Sequence, residues 1–223
     1  MPRYDVVLLD ADETLFDFRK AEAWALREAF GLRGLTLDEG AARAYEEINE
    51  GLWRRLERGE LDQRTIRSER FRLLFERLGL AEDPAAFGEL YVARLSTAAF
   101  LLDGAEELCS RLSETRRLAI LTNGIADVQK SRLGRSAIAR FIERAIVSEE
   151  VGAATPAPAI FERAFELMGI SDKSRAVMVG DSLASDIRGG IAFGIDTCWV
   201  NLRAWAPDPA IVPTYVARSL AEV

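Results

Sequence analysis

The chain has 223 residues, enough for one large domain or a core with an insertion, and 49% hydrophobic with 29% charged residues is a globular composition. A net charge of −7 argues against nucleic acid or an anionic membrane as the main partner, and no apolar run reaches the ~18 residues of a membrane span. The absence of histidine excludes a Ser-His-Asp triad, a Cys-His pair and an HExxH zinc site. Acid–base chemistry near neutral pH must then come from carboxylates, metal-bound water or the three lysines, Lys20, Lys130 and Lys173. Two distant cysteines, Cys109 and Cys198, suggest neither a disulfide framework nor a zinc site, which fits a reducing cytoplasm. The start, MPRYDVVLLD, does not read as a signal peptide, because its apolar run is short and ends in acids.

The first predicted element is a buried strand over Tyr4–Asp10. It runs straight into Asp10, Ala11, Asp12 and Glu13, three carboxylates where ionised groups are costly without a cation. From Asp17 to Leu95 no strand signal occurs. Helical periodicity takes over, with Tyr45, Ile48, Leu52 and Leu56 on one face and Phe71, Leu74, Phe75 and Leu78 on another. Gly31, Gly34, Gly59, Gly79 and Pro84 punctuate this region into roughly four helices. Its sixteen acids nearly cancel its fourteen bases, so the Arg-rich stretch WRRLERGELDQRTIRSERFRLLFERL reads as a solvated face laced with ion pairs three and four apart rather than a polyanion site.

Further strands are predicted at Arg117–Thr122, Arg144–Ser148, Arg175–Gly180 and Thr197–Val200, separated by helix-like segments. That rhythm is the one of a parallel α/β sheet. In such a sheet ligands bind beyond the carboxyl ends of the strands, and here those ends carry polar residues. Strand one ends in Asp10 and Asp12, two residues apart and so on one side of an extended chain. The second ends in Thr122, Asn123 and Gly124, and the fourth in Asp181, followed by Ser182, Ser185 and Asp186 at a helix start. Taken singly these are ordinary turn and capping residues. Their joint placement on one sheet edge is harder to attribute to turns. Carboxylates from separate strands make a hard oxygen site suited to Mg²⁺, and a hydroxyl with free amides after strand two suits phosphate oxygens. Asp10 is then placed to attack phosphorus, and Asp12 to protonate the leaving oxygen and later activate water. The nearby GIADVQKS, residues 124–131, almost matches the phosphate-binding loop GxxxxGK[ST]. Gln129 stands where the second glycine is required, which argues against that reading and puts Lys130 on a solvent-facing helix.

DADETLF, LTNG, TPAPAIF and GDSLASD resemble the four ordered motifs of the haloacid dehalogenase-like (HAD) hydrolase superfamily. The resemblance implies a Rossmann-like parallel-sheet core formed by residues 1–16 and 96–223, with an inserted α-helical cap over 17–95. It implies Asp10 as nucleophile and Asp12 as general acid/base, and Mg²⁺ held by Asp10, the backbone carbonyl of Asp12 and Asp181, with Asp186 supporting. Thr122 and Asn123 would hold phosphate. Asp12 favours a phosphatase over a 2-haloacid dehalogenase, which lacks an acid there. DADETLFDF with LTNGIADVQKSRL is similar to the pyrimidine 5′-nucleotidase subgroup, so a cytoplasmic nucleoside-monophosphate phosphatase acting on a small phosphorylated metabolite is expected. A sugar-phosphate phosphatase, a phosphotransferase and a non-catalytic phosphate binder stay open. The cap is expected to select the leaving group, with Phe16, Phe18 and Trp24 near the hinge either stacking on a base or filling the junction. One position departs from the family. The third motif there places a lysine before the proline, and this chain has Thr155, which keeps a hydroxyl donor for binding phosphate and loses the cation. The sequence sets no oligomeric state.

Overall fold

A computed structural model describes residues 3–61 and 63–223. Met1 and Pro2, in the N-terminal segment, and Asp62, in the Arg-rich stretch, lie outside the described residues. The elements run β1 (Val6–Leu9), α1 (Phe18–Leu32), α2 (Glu39–Glu57), α3 (Gln63–Leu78), α4 (Pro84–Leu95), α5 (Ala105–Ser113), β2 (Arg117–Thr122), α6 (Ala126–Arg135), β3 (Ile142–Val147), α7 (Ser148–Val151), α8 (Pro158–Met168), β4 (Ala176–Gly180), α9 (Arg188–Phe193), β5 (Asp196–Val200) and β6 (Tyr215–Ala217). They form two compact units, residues 1–18 with 99–223 and residues 19–98; the sequence pattern suggests breaks at 16/17 and 95/96.

The first unit is a six-stranded sheet in the order β3-β2-β1-β4-β5-β6, with every pair parallel. The alternating side chains of the central strands explain its two helical layers. Val7, Leu9, Ile120, Val177 and Val179 turn to one face and pack with Leu108 and Leu112 of α5. Val6, Leu8, Ala119, Leu121 and Met178 turn to the other and pack with Phe161 and Phe165 of α8 and Phe193 of α9. All four residues of β1 are buried, and each such side chain contributes about 1.5–3 kcal/mol relative to an exposed one. The strand order reverses between β1 and β4. A ligand crevice is expected at that switch point, outside the carboxyl ends of those two strands.

The third strand begins two residues earlier than the sequence suggests, and β6 is not anticipated by it at all. It has three residues, two of them exposed, so it carries no apolar run to read. Its anchors are polar. The Tyr4 hydroxyl donates to Asp196 at 2.6 Å and lies 3.0 Å from the Tyr215 hydroxyl, while Arg3 reaches both Asp196 and Tyr215.

The two passages linking the first unit to the second run side by side within the first. Asp17 donates its amide to Phe100, Leu102 donates to Leu15, and Phe16 bridges Leu101 in antiparallel sense. Phe16 is fully buried in the core, so it fills the sheet side of this junction and is not exposed for stacking on a base.

The second unit comprises α1 from Arg19 onward with α2, α3 and α4. Asp38 caps α2, and Asp83 followed by Pro84 starts α4. Phe30, Phe71, Phe75 and Phe87 form its aromatic core. Arg72 bridges Glu69 and Glu76 at helical spacing, as expected for the Arg-rich stretch, and Arg77 pairs with Glu47 on the neighbouring helix α2. Arg70 departs from that expectation. It is buried beside Tyr45 and Asn49, both 3.3 Å away, and those two residues reach Glu22 in turn. Asn49 is therefore buried where periodicity places Ile48.

Candidate active site

Asp10 follows β1 directly and donates its amide to Val179 on β4 at 2.9 Å, which sets it at the switch point. Asp181 follows β4, its carbonyl held at 2.8 Å by the indole of Trp199 on β5. Asp186 comes from a single wide π-helical turn, Leu183–Ile187, a local irregularity that often marks a functional site. That turn aims its carboxylate back at the strand end. Oδ2 of Asp186 accepts from the Ser182 amide at 3.0 Å and Oδ1 from the Ser185 hydroxyl at 3.3 Å. The approach is so close that a Cβ on Gly180 would stand 2.3 Å from Asp186 Oδ2, which explains the glycine in GDS. Ser182 caps the turn through the Ser185 amide, as an ordinary capping residue does.

One carboxylate oxygen each from Asp10, Asp181 and Asp186 lies within 4.8 Å of the other two. This crowding has an electrostatic consequence. Burial, then Asp186, Asp181 and Asp12, hold the Asp10 carboxyl well above the usual carboxylate range. Burial, then Asp186, Glu13 and Asp12, do the same for Asp181. Hard oxygen donors gathered from three chain positions, disfavoured as anions by one another, fit a hard divalent cation.

Asp12 sits in a tight turn closed by the Leu15 and Phe16 amides donating to the Ala11 carbonyl. Glu13 in that turn has φ 63°, the left-handed region, and pairs with Arg203. The Asp12 carboxylate is taken from both sides. Gln129 Nε2 donates to one oxygen and Arg132 Nη1 to the other, each at 2.5 Å. The Arg132 side chain is 0% exposed and that of Asp12 is 24% exposed. Sequence reasoning misses both partners. Their signal is there: positions 129 and 132 are three apart on the helix that follows β2, hence on one face. Against a phosphate-loop pattern, Gln129 registers only as a missing glycine.

Thr122, at the end of β2, is buried, and its hydroxyl accepts from the Gly124 amide at 3.1 Å. Asn123 and Thr155 are joined. Asn123 Nδ2 donates to the Thr155 hydroxyl at 2.8 Å, and the Thr155 amide returns a bond to Asn123 Oδ1 at 2.9 Å. Lys130 points away to solvent, with its side chain 54% exposed and paired with Glu150.

The model of the haloacid dehalogenase-like hydrolase family matches residues 4–194, and the chain belongs to that family of hydrolases. It is 36% identical over 223 residues to the HAD-hydrolase YfnB of Bacillus subtilis, covering 100% of this chain and 95% of that one. A crystal structure of YfnB, described as bound to magnesium and as revealing interdomain movement, matches with a TM-score of 0.94 over 99% of this chain and 97% of that one. The pyrimidine 5′-nucleotidase YjjG of Escherichia coli is 33% identical over 99% of this chain and 96% of its own length. The pyrimidine 5′-nucleotidase PynA of Streptococcus pneumoniae is 30% identical over 99% and 93%.

The raised carboxylates carry a pH signature. Folding raises the pKa of Asp10 and Asp181, so the folded chain binds protons that the unfolded chain releases. Their contribution to stability is present at low pH and is lost as pH rises through the raised values. Carboxylates held low, such as Asp5 and Asp196, weaken the fold only on acidification below about 4. From pH 8 down to pH 5, in chelator, the melting temperature is expected to climb, by about 2–4 °C for each kcal/mol of repulsion that protonation relieves. Asp181→Asn should raise the pH 8 value and flatten the slope. A flat or falling wild-type profile would contradict the assignment.

Proposed function

We propose that this hydrolase is a magnesium-dependent phosphomonoesterase that works through an aspartyl-phosphate on Asp10, with nucleoside monophosphates as its substrate class. The observation that carries the reading is the convergence of Asp10, Asp181 and Asp186 at the switch point of the sheet, with Asp12 held separately two residues from Asp10. Asp10, Asp181 and the backbone carbonyl of Asp12 would hold the magnesium ion, with Asp186 supporting. Bound there, the ion supplies charge compensation between carboxylates and phosphoryl oxygens.

The chain's own residues supply the rest. The Asp10 carboxylate forms a bond to phosphorus as the ester P–O bond breaks. The electron pair of that bond goes to the leaving oxygen, which receives the proton of the Asp12 carboxyl. Asp12, now a carboxylate, takes a proton from water as the water oxygen attacks phosphorus, which returns Asp10 and releases phosphate. Thr122 and Asn123 at the end of β2 are the phosphate holders. The Thr122 hydroxyl accepts from Gly124 and keeps its own proton to donate. Thr155 braces Asn123 where the family has a lysine. Removing one preorganised donor from developing charge costs roughly 10²–10³ in rate, so this enzyme is a slow member of its class. The two nucleotidase relatives support the substrate class, and the free, buried cysteines suit a cytoplasmic enzyme. Among the described residues no helix is long and apolar enough to cross a membrane.

The test compares an aryl with an alkyl phosphate. Asp10→Asn, nearly isosteric, is expected to abolish turnover of both with the fold intact. Asp12→Asn should lose most on the alkyl ester, whose leaving group needs the proton. Wild-type rates in Asp10→Asn would refute the nucleophile. A kcat/KM for nucleoside monophosphates no higher than for sugar phosphates would remove the nucleotidase assignment and leave the phosphatase. For the missing cation, Thr155→Lys should raise kcat about tenfold or more; an unchanged or lower kcat would contradict the charge deficit.

A further inference from the structure

Buried arginine is expensive. Stripping a guanidinium of water carries a large desolvation cost, and an apolar side chain of similar volume often serves a fold as well or better. Arg132 is nonetheless fully buried in the first unit, with its Nη1 on an Asp12 oxygen. The phenyl rings of Phe16 and Phe18, on the segment that follows Asp12, flank it at 4.5 and 5.6 Å from the guanidinium carbon to the ring centroids, a cation–π arrangement that fixes the plane of the group. The second Asp12 oxygen is held by Gln129 one helical turn earlier. A further position is committed to this contact. A Cβ on Gly124 would lie 2.1 Å from Gln129 Nε2, so the glycine of LTNG clears the path by which Gln129 reaches Asp12. Two side chains, two aromatic rings and a glycine thus converge on a carboxylate that remains partly open to solvent.

We propose that Gln129 and Arg132 are positioning residues that clamp Asp12 in the single orientation from which it transfers a proton to and from the reacting phosphate ester. The proposal rests on the phosphatase reading above. Each carboxylate oxygen has two lone-pair directions. The clamp uses one on each oxygen, and the transferred proton uses one of those remaining. Neither residue exchanges a proton. They act through the direction in which Asp12 points, and a misplacement of about 1 Å in a reacting group can cost on the order of 10²-fold in rate.

The experiment measures kcat and KM for Arg132→Met, Arg132→Lys and Gln129→Met on an aryl phosphate, whose leaving group needs little protonation, and on an alkyl phosphate. Circular dichroism and melting temperature confirm folding. For Arg132→Met and Gln129→Met, kcat on the alkyl ester should fall about 10- to 100-fold, the loss on the aryl ester should be much smaller, and KM should change little. Arg132→Lys should recover part of the loss. In an Asp12→Asn background Arg132→Met should cost nothing further, because the clamp has no other route to the reaction. If Arg132→Met fails to fold, Gln129→Met, which leaves the ion pair in place, carries the same comparison alone and against Asp12→Asn. Equal losses on both esters, unchanged kcat, or an added loss in the Asp12→Asn background would overturn the clamp and leave the phosphatase standing. Wild-type turnover of neither ester would overturn the phosphatase reading and the clamp with it.

Discussion

Negative charge gathered at the end of a buried strand constrains everything else in the first unit. Asp10 is 9% exposed, and one carboxylate oxygen each of Asp181 and Asp186 lies within 4.8 Å of one of its own. Ionised groups so placed repel one another in a medium that screens poorly. The arrangement persists because the sheet on which it is built is strongly stabilised. The central strands are buried on both faces by two separate apolar layers, so the carboxylates sit on a rigid frame that need not relax away from them. A divalent cation bound there would offset that repulsion.

Local devices aim each acid. The wide turn after β4 brings Asp186 back over Gly180, where a side chain would block it. Trp199 holds the carbonyl of Asp181 from the neighbouring strand. Gln129 passes over Gly124 to reach Asp12. The same device occurs twice: a glycine at the carboxyl side of a strand leaves room for a side chain from the following helical segment. Asp12 is matched by a buried guanidinium. On the proposed mechanism, this pairing would set the proton-exchanging carboxylate apart from those that would bind metal and attack phosphorus.

Much of this is legible in the sequence because parallel strands buried on both faces are continuous apolar runs. VVLL, RLAILT, AVMVG and TCWV can be read directly, and so can the acids at their ends. Edges and polar packing are harder. The short strand Tyr215–Ala217 buries only Ala217 and adds hydroxyl and arginine contacts at Tyr215, and Arg70 and Asn49 lie in the interior of a helical unit whose periodicity is read from apolar residues alone. At the site, single-residue readings locate Asp10, Asp181 and Asp186 but not the partners of Asp12. Gln129 is obscured by a phosphate-loop pattern it does not fit, and Arg132 is one arginine among many. Their helical spacing links them to each other, but only the fold brings them within reach of a residue more than a hundred positions earlier.

The account turns on Asp10 becoming covalently phosphorylated. Borohydride added during steady turnover of a phosphate ester reduces an acyl phosphate, and an aspartate trapped in this way becomes homoserine, which peptide mass spectrometry reads by position. The account predicts homoserine at position 10 in the wild-type chain, dependent on both substrate and magnesium. Homoserine at another aspartate, or an unmodified Asp10 in enzyme that is turning over, would contradict it.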